Sequence, residues 1–276
     1  MVTATALAPR LGMLLAASAE AEGFHKPSID DFFPGALAFL NTPLEMNRIM
    51  MVRVIMTLLL VVIFSIGASR ARLVPGRFQG ALEMILDFVR VNIAEEIIGE
   101  KRAKPYTPIL TVIFLGVLFM NISGVIPGLQ IAGTSLVGMP IVFAVVSYIV
   151  FFAAGLKAHH GAGGFFKSQL LPAGVPPFLY ILIAPIEFLS TFIMRPVTLT
   201  IRLLANMISG HLLLVLCFVS TNYLFFEISG WLKGLGVLTL GVGIAFVFFE
   251  MFVAVLQAYI FALLTAVYID SSISSH

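Results

Sequence analysis

Between residues 195 and 211 the chain reads RPVTLTIRLLANMISGH, an apolar segment that carries two arginines, an asparagine and a histidine. Arg195, Thr198, Arg202, Asn206 and Ser209 recur at intervals of three and four, so on a helix they share one face. Glu250 and Gln257 lie seven apart in a second apolar run and also share a face. His211 lies further round, about two and a half turns beyond Arg202. An arginine is not deprotonated in a protein, and a charge at mid-bilayer costs roughly 2.5–3.5 kcal/mol on insertion scales. Such a stripe must look at protein or at a water-filled cavity. One chemistry open to it is proton transfer, because an imidazole with a carboxylate at membrane depth makes a proton relay. Plainer uses stand beside these. Arg195 has the option of snorkelling to an interface, Asn206 and Gln257 of bonding helix to helix, and His211 and Glu250 of satisfying only each other.

The elements that position these residues belong to a membrane. Of 276 residues 60% are hydrophobic and 11% charged, with a mean hydropathy of +1.07. A soluble domain carries about a quarter charged residues. One cysteine, Cys217, excludes an internal disulfide. His159 and His160 are adjacent, without a nearby cysteine or carboxylate, so no metal site is expected. Phosphate-loop, dinucleotide and nucleophile-elbow motifs are absent, and no cofactor or nucleic-acid contact is expected.

The first span is Ile49 to Ser69, with Arg53 expected to snorkel. Residues 76 to 99 repeat apolar side chains at helical spacing with Glu83, Asp87 and Arg90 on another face, which predicts an amphipathic interfacial helix. Two further spans are expected over 109–126 and 131–156. Residues 178–220 and 237–269 predict two long, oblique helices, because each exceeds the roughly 20 residues of a perpendicular crossing. The inside loops 70–104 and 157–167 hold nine of the sixteen lysines and arginines, which places the N-terminus outside and the C-terminus in the cytoplasm. Arg10 and the following LGMLLAASA resemble a signal peptide; an exported flexible tail is the other reading. The expected architecture is an all-α integral membrane protein: an extracytoplasmic segment over 1–48, then one membrane domain over 49–276 with five embedded helices and one amphipathic helix.

Several stretches carry a family resemblance. Pro196, Arg202, Leu203, Asn206, Met207 and Gly210 form one motif, and LQAYIFALLTAVYI, 256 to 269, forms a second. MNISGVIPG, 120 to 128, GLKAHHGAGGFF, 155 to 166, and HKPSIDDFFPG, 25 to 35, add to them. Together they resemble the a subunit of F-type ATP synthases. The resemblance implies a non-catalytic stator of a bacterial plasma membrane complex, packed against a ring of c subunits and joined to the b subunits of a peripheral stalk. It implies that Arg202 is the indispensable arginine, with Asn206 and Gln257 as helpers and His211 and Glu250 as an acid–imidazole pair. Asn121 matches a polar residue of the outer access path. Arg195 and Glu187 would lie toward the inner path, although the distance from Glu187 to Pro196 differs by one residue from the family pattern. Gly124 stands where some members carry an acid. An anion transporter using Arg202 to hold substrate is the rival reading, but no inverted repeat is visible.

Overall fold

The structure, a computed structural model, describes residues 36–38, 46–126, 132–159, 161–170, 177–227, 230 and 233–274. The signal-like stretch after Arg10, the segment HKPSIDDFFPG, the turn at 127–130 and His160 lie outside these residues.

A short antiparallel pair, β1 (Ala36–Ala38) and β2 (Met46–Asn47), precedes the helices and is an addition to the expected all-α architecture. Asn47 then accepts the Met50 N–H at 2.9 Å and caps α1, Arg48–Ser69. The amphipathic segment becomes α2, Arg77–Val89, continued by a π turn at Arg90–Glu95 and two single helical turns on either side of Gly99. Gly99 takes φ 87°, which a side chain would strain, so the helix breaks there. Next come α3, Thr107–Ile122, and α4, Gly138–Ala158. The Gly-rich loop expected after α4 instead contains a helix, α5, Ala162–Leu170. The chain then runs through α6 (Tyr180–Phe188), a π turn (Leu189–Met194) and α7 (Arg195–Phe226) before α8, Lys233–Ser274.

Among the described residues, four helical stretches are long and apolar enough to cross a membrane: α1, α4, the continuous 47 residues from Tyr180 to Phe226, and the 42 of α8. At 16 residues α3 is shorter than the 109–126 span expected for it. Pro185 and Pro196 do not end the Tyr180–Phe226 helix. The last two helices also reach further than expected, which shortens the loop placed at 221–236.

Among the described residues, 36–211 and 247–274 form one compact unit and 212–246 another. The core of the first gathers Val89, Ile93 and Ile98 with Leu110, Ile113 and Val117 of α3, Leu199 and Leu203 of α7, and Phe261 and Ile269 of α8. The amphipathic segment therefore packs inward through its C-terminal half. Ala254, Ala258, Ala262 and Ala266 make a buried ridge of small side chains every fourth residue, which lets neighbouring helices approach α8 closely. Ser147 donates to Thr265 at 2.9 Å across that contact. In the smaller unit the Thr221 and Thr239 hydroxyls lie 2.9 Å apart, and Cys217 packs against Gly243.

Candidate functional site

The first half of α7 has two faces of opposite character. Leu199, Leu203 and Met207, four apart, are buried. Thr198, Asn206 and Ser209 are exposed on the opposite side and Arg202 is half-buried. The 3.6-residue period separates the leucine stripe that anchors the helix from the polar stripe that it leaves open.

Behind the polar stripe is a small cleft lined by Asn121, Leu203, Asn206, Met207, Glu250 and Gln257, with Val253 and Ala254. Four of the site residues expected from the sequence thus come together: Asn121, Asn206, Glu250 and Gln257. Asn206 donates to Gln257 Oε1 at 2.8 Å, so the helix-to-helix bond is present. The same bond leaves Gln257 Nε2 buried without a hydrogen-bond partner among the described residues. Both carboxylate oxygens of Glu250 are in that condition too, although the residue is only 8% exposed. Gly210 makes room for this carboxylate: a Cβ there would lie 3.1 Å from Glu250 Oε1. Buried groups of this kind call for water or a mobile proton. His211 is half-buried and does not line the cleft.

Arg202 makes no hydrogen bond or ion pair among the described residues, although its charge is felt at the Tyr268 phenol. Arg195, about two turns upstream, lies with its guanidinium carbon 5.2 Å from the Tyr268 ring centroid and keeps one buried Nη without a hydrogen-bond partner among the described residues. It is turned onto an aromatic face.

Upstream, Thr191 donates to Glu187 at 3.3 Å. In the π turn the Arg195 N–H bonds to the Ser190 carbonyl. The next bond in that register would need an N–H from Pro196, which has none. The Thr191 carbonyl is thereby orphaned, and the Tyr148 hydroxyl of α4 donates to it instead. A π turn also accommodates one extra residue in a helix, and this one lies between Glu187 and Pro196.

Arg53, expected to snorkel, is bonded within the chain. Its Nε donates to the Gly133 carbonyl at 2.8 Å and an Nη lies 3.4 Å from the Leu136 carbonyl. The sequence reading missed Tyr148, Tyr268 and Thr134. Their signal was a hydroxyl within or beside an apolar run, which by itself does not separate glue from function.

The profile of the family described as ATP synthase A chain matches residues 49–270. The chain belongs to this family. It is 49% identical over 253 residues to ATP synthase subunit a of Rhodococcus erythropolis, covering 91% of this chain and 90% of that one. The corresponding protein of a Parafrankia species is 39% identical over 275 residues, covering 97% of this chain and 90% of the relative. That of Streptomyces lividans is 32% identical over 260 residues, 92% and 89% of the two. The chain is accordingly a non-catalytic, membrane-embedded component of ATP synthase, and no observation favours the anion-transporter reading.

Proposed function

We propose that this chain is the stator of proton flow, with Arg202 facing a rotating ring of c subunits. The observation that carries the reading is Arg202 itself: half-buried in an apolar helix, on the open face of α7, and without a hydrogen-bond or ion-pair partner among the described residues. A cation held there is stabilised by a carboxylate that arrives from outside the chain.

The mechanism follows from charge. A ring carboxylate that reaches Arg202 ionises, because the nearby cation favours the charged form. Before it moves on into lipid it must be neutral, since a bare charge there is too costly. Loading and unloading therefore need two offset water paths. Protons come from outside past Asn121 and the cleft between Glu250, Gln257 and Asn206, with His211 at its side as the imidazole partner of Glu250 through water. They leave to the cytoplasm near Arg195 and Glu187. Arg202 between the paths prevents a direct leak. The field supplies about 2.3 kcal/mol per charge per 100 mV, so several protons drive one ATP. In this reading α3 is the fifth membrane-embedded helix, the two longest helices lie tilted, the N-terminus is outside and the C-terminus cytoplasmic. The b subunits of the peripheral stalk are the further partners.

Arg202→Ala in the intact complex, reconstituted in proteoliposomes, tests the reading. The variant should assemble with the ring and lose ATP synthesis driven by an imposed proton-motive force. Undiminished synthesis would rule out the role given to Arg202.

A further inference from the structure

The chain holds a further arginine inside an apolar helix, Arg53, and the stator mechanism makes no use of it. Arg53 sits in the second turn of α1, between Val52, which is buried, and Val54, which is exposed. Among the described residues no carboxylate meets it. Its hydrogen bonds go to two backbone carbonyls, of Gly133 and Leu136. Those carbonyls bracket Thr134 and Ser135, in a turn between α3 and α4 that is buried although it is not helical: Ala132 and Thr134 are 0% exposed and Ser135 4%. Buried non-helical backbone needs partners for its polar groups within the protein or from water.

The turn is tied down from the other side as well. The Gly133 N–H reaches the Met120 carbonyl at 3.1 Å and the Ser123 hydroxyl at 3.1 Å. A Cβ at Gly133 would meet the Met120 sulfur at 2.5 Å, so a larger residue there would displace the Met120 side chain. In that position the Thr134 hydroxyl donates to Asn121 Oδ1 at 2.7 Å. With its oxygen engaged, the Asn121 amide keeps its N–H groups as donors. Asn121 lines the same cleft as Glu250, whose two oxygens are acceptors without a partner among the described residues.

We propose that Arg53 is a positioning residue for proton uptake, acting through the 133–136 turn and Thr134 to hold Asn121 with its donor side available to the Glu250 cleft. The inference rests on the stator reading and adds to it a chain of control that begins in α1. The guanidinium suits this work because it spans two carbonyls with a rigid fork, which an ammonium does not.

The test uses the intact complex in proteoliposomes, with ATP synthesis under a fixed proton-motive force normalised to complex that contains both this chain and the ring. Arg53→Met and Thr134→Val should each lower the rate several-fold per assembled complex. The double variant should be no slower than the slower single, because both changes cut one chain of contacts. Thr134→Ser should restore the rate, since it keeps the hydroxyl. Where Arg53→Met reduces assembly, Arg53→Lys gives the same comparison and should fall between wild type and Thr134→Val. An unchanged rate in Thr134→Val, losses that multiply in the double variant, or a Thr134→Ser as slow as Thr134→Val would overturn the inference and mark Arg53 as structural only. Arg202→Ala, run in parallel, separates the two failures: loss there with normal Thr134→Val kinetics removes this inference and leaves the stator intact.

Discussion

Arg53 and Arg202 are two arginines in apolar helices that solve the same problem in opposite ways. Each is a buried or half-buried charge that its own apolar helix does not compensate. Arg53 is compensated inside the chain by two carbonyls of a buried turn. Arg202 has no hydrogen-bond or ion-pair partner among the described residues and lies on the open side of α7. A charge bonded at home stabilises an arrangement; a charge left open stabilises whatever comes to meet it. The same division separates Asn206, which is bonded to Gln257, from Glu250, whose carboxylate is bare.

The contrast breaks most easily at the arginines themselves. Arg202→Lys keeps the charge and loses the planar fork, and it should cut ATP synthesis about a hundredfold, the scale of losing one preorganised charge stabiliser. Arg53→Lys should cost only a few-fold in the same assay. Comparable losses would mean that the two charges do not differ in kind. The closed side of the contrast should fail in assembly before it fails in rate. Gly155→Val places a side chain against Phe165 and Ser272, at a cost of about 1–3 kcal/mol for overpacking. Thermal denaturation of the detergent-solubilised complex should show an earlier midpoint and near-normal turnover in what survives. Gly210→Ala sharpens the open side: its methyl would sit 3.1 Å from Glu250 Oε1 and should slow proton uptake a few-fold, read as passive proton conduction, with assembly unchanged. The smallest effect is expected at Arg90 and Glu95, an exposed pair 2.8 Å apart whose hydrogen bond holds the Arg90 guanidinium above its ordinary value. Glu95→Gln should leave both denaturation midpoint and synthesis rate where they were, because solvent already screens the pair.

What the sequence disclosed was whatever repeats at a helical period. The polar stripe of α7, the Glu250–Gln257 face and the long apolar runs are periodic, so their helices and open faces were legible. The carbonyl partners of Arg53 were not legible because they lie 80 and 83 residues away, and nothing local announces them. α5 was missed because Gly161, Gly163 and Gly164 read as loop, whereas Phe165 is fully buried and fastens the segment by packing on Phe151 and Phe152. The longer reach of α7 escaped notice because Thr221 and Asn222 resemble a turn; within the helix the Thr221 hydroxyl bonds back to the Cys217 carbonyl.

The wide turn at Leu189–Met194 has a bearing on how much change this helix tolerates. Each residue of a regular helix advances it by about 100°, so an insertion or deletion in α6 or early α7 would swing everything beyond it onto a different side. Between residues 189 and 194 the surplus is held in one loose coil. Shortening the chain by one residue there would tighten that coil into an ordinary one and keep Glu187 and Arg202 in their present angular relation. The helix thus carries a slack link just ahead of its most demanding stretch, and length drift is absorbed before it reaches Arg202.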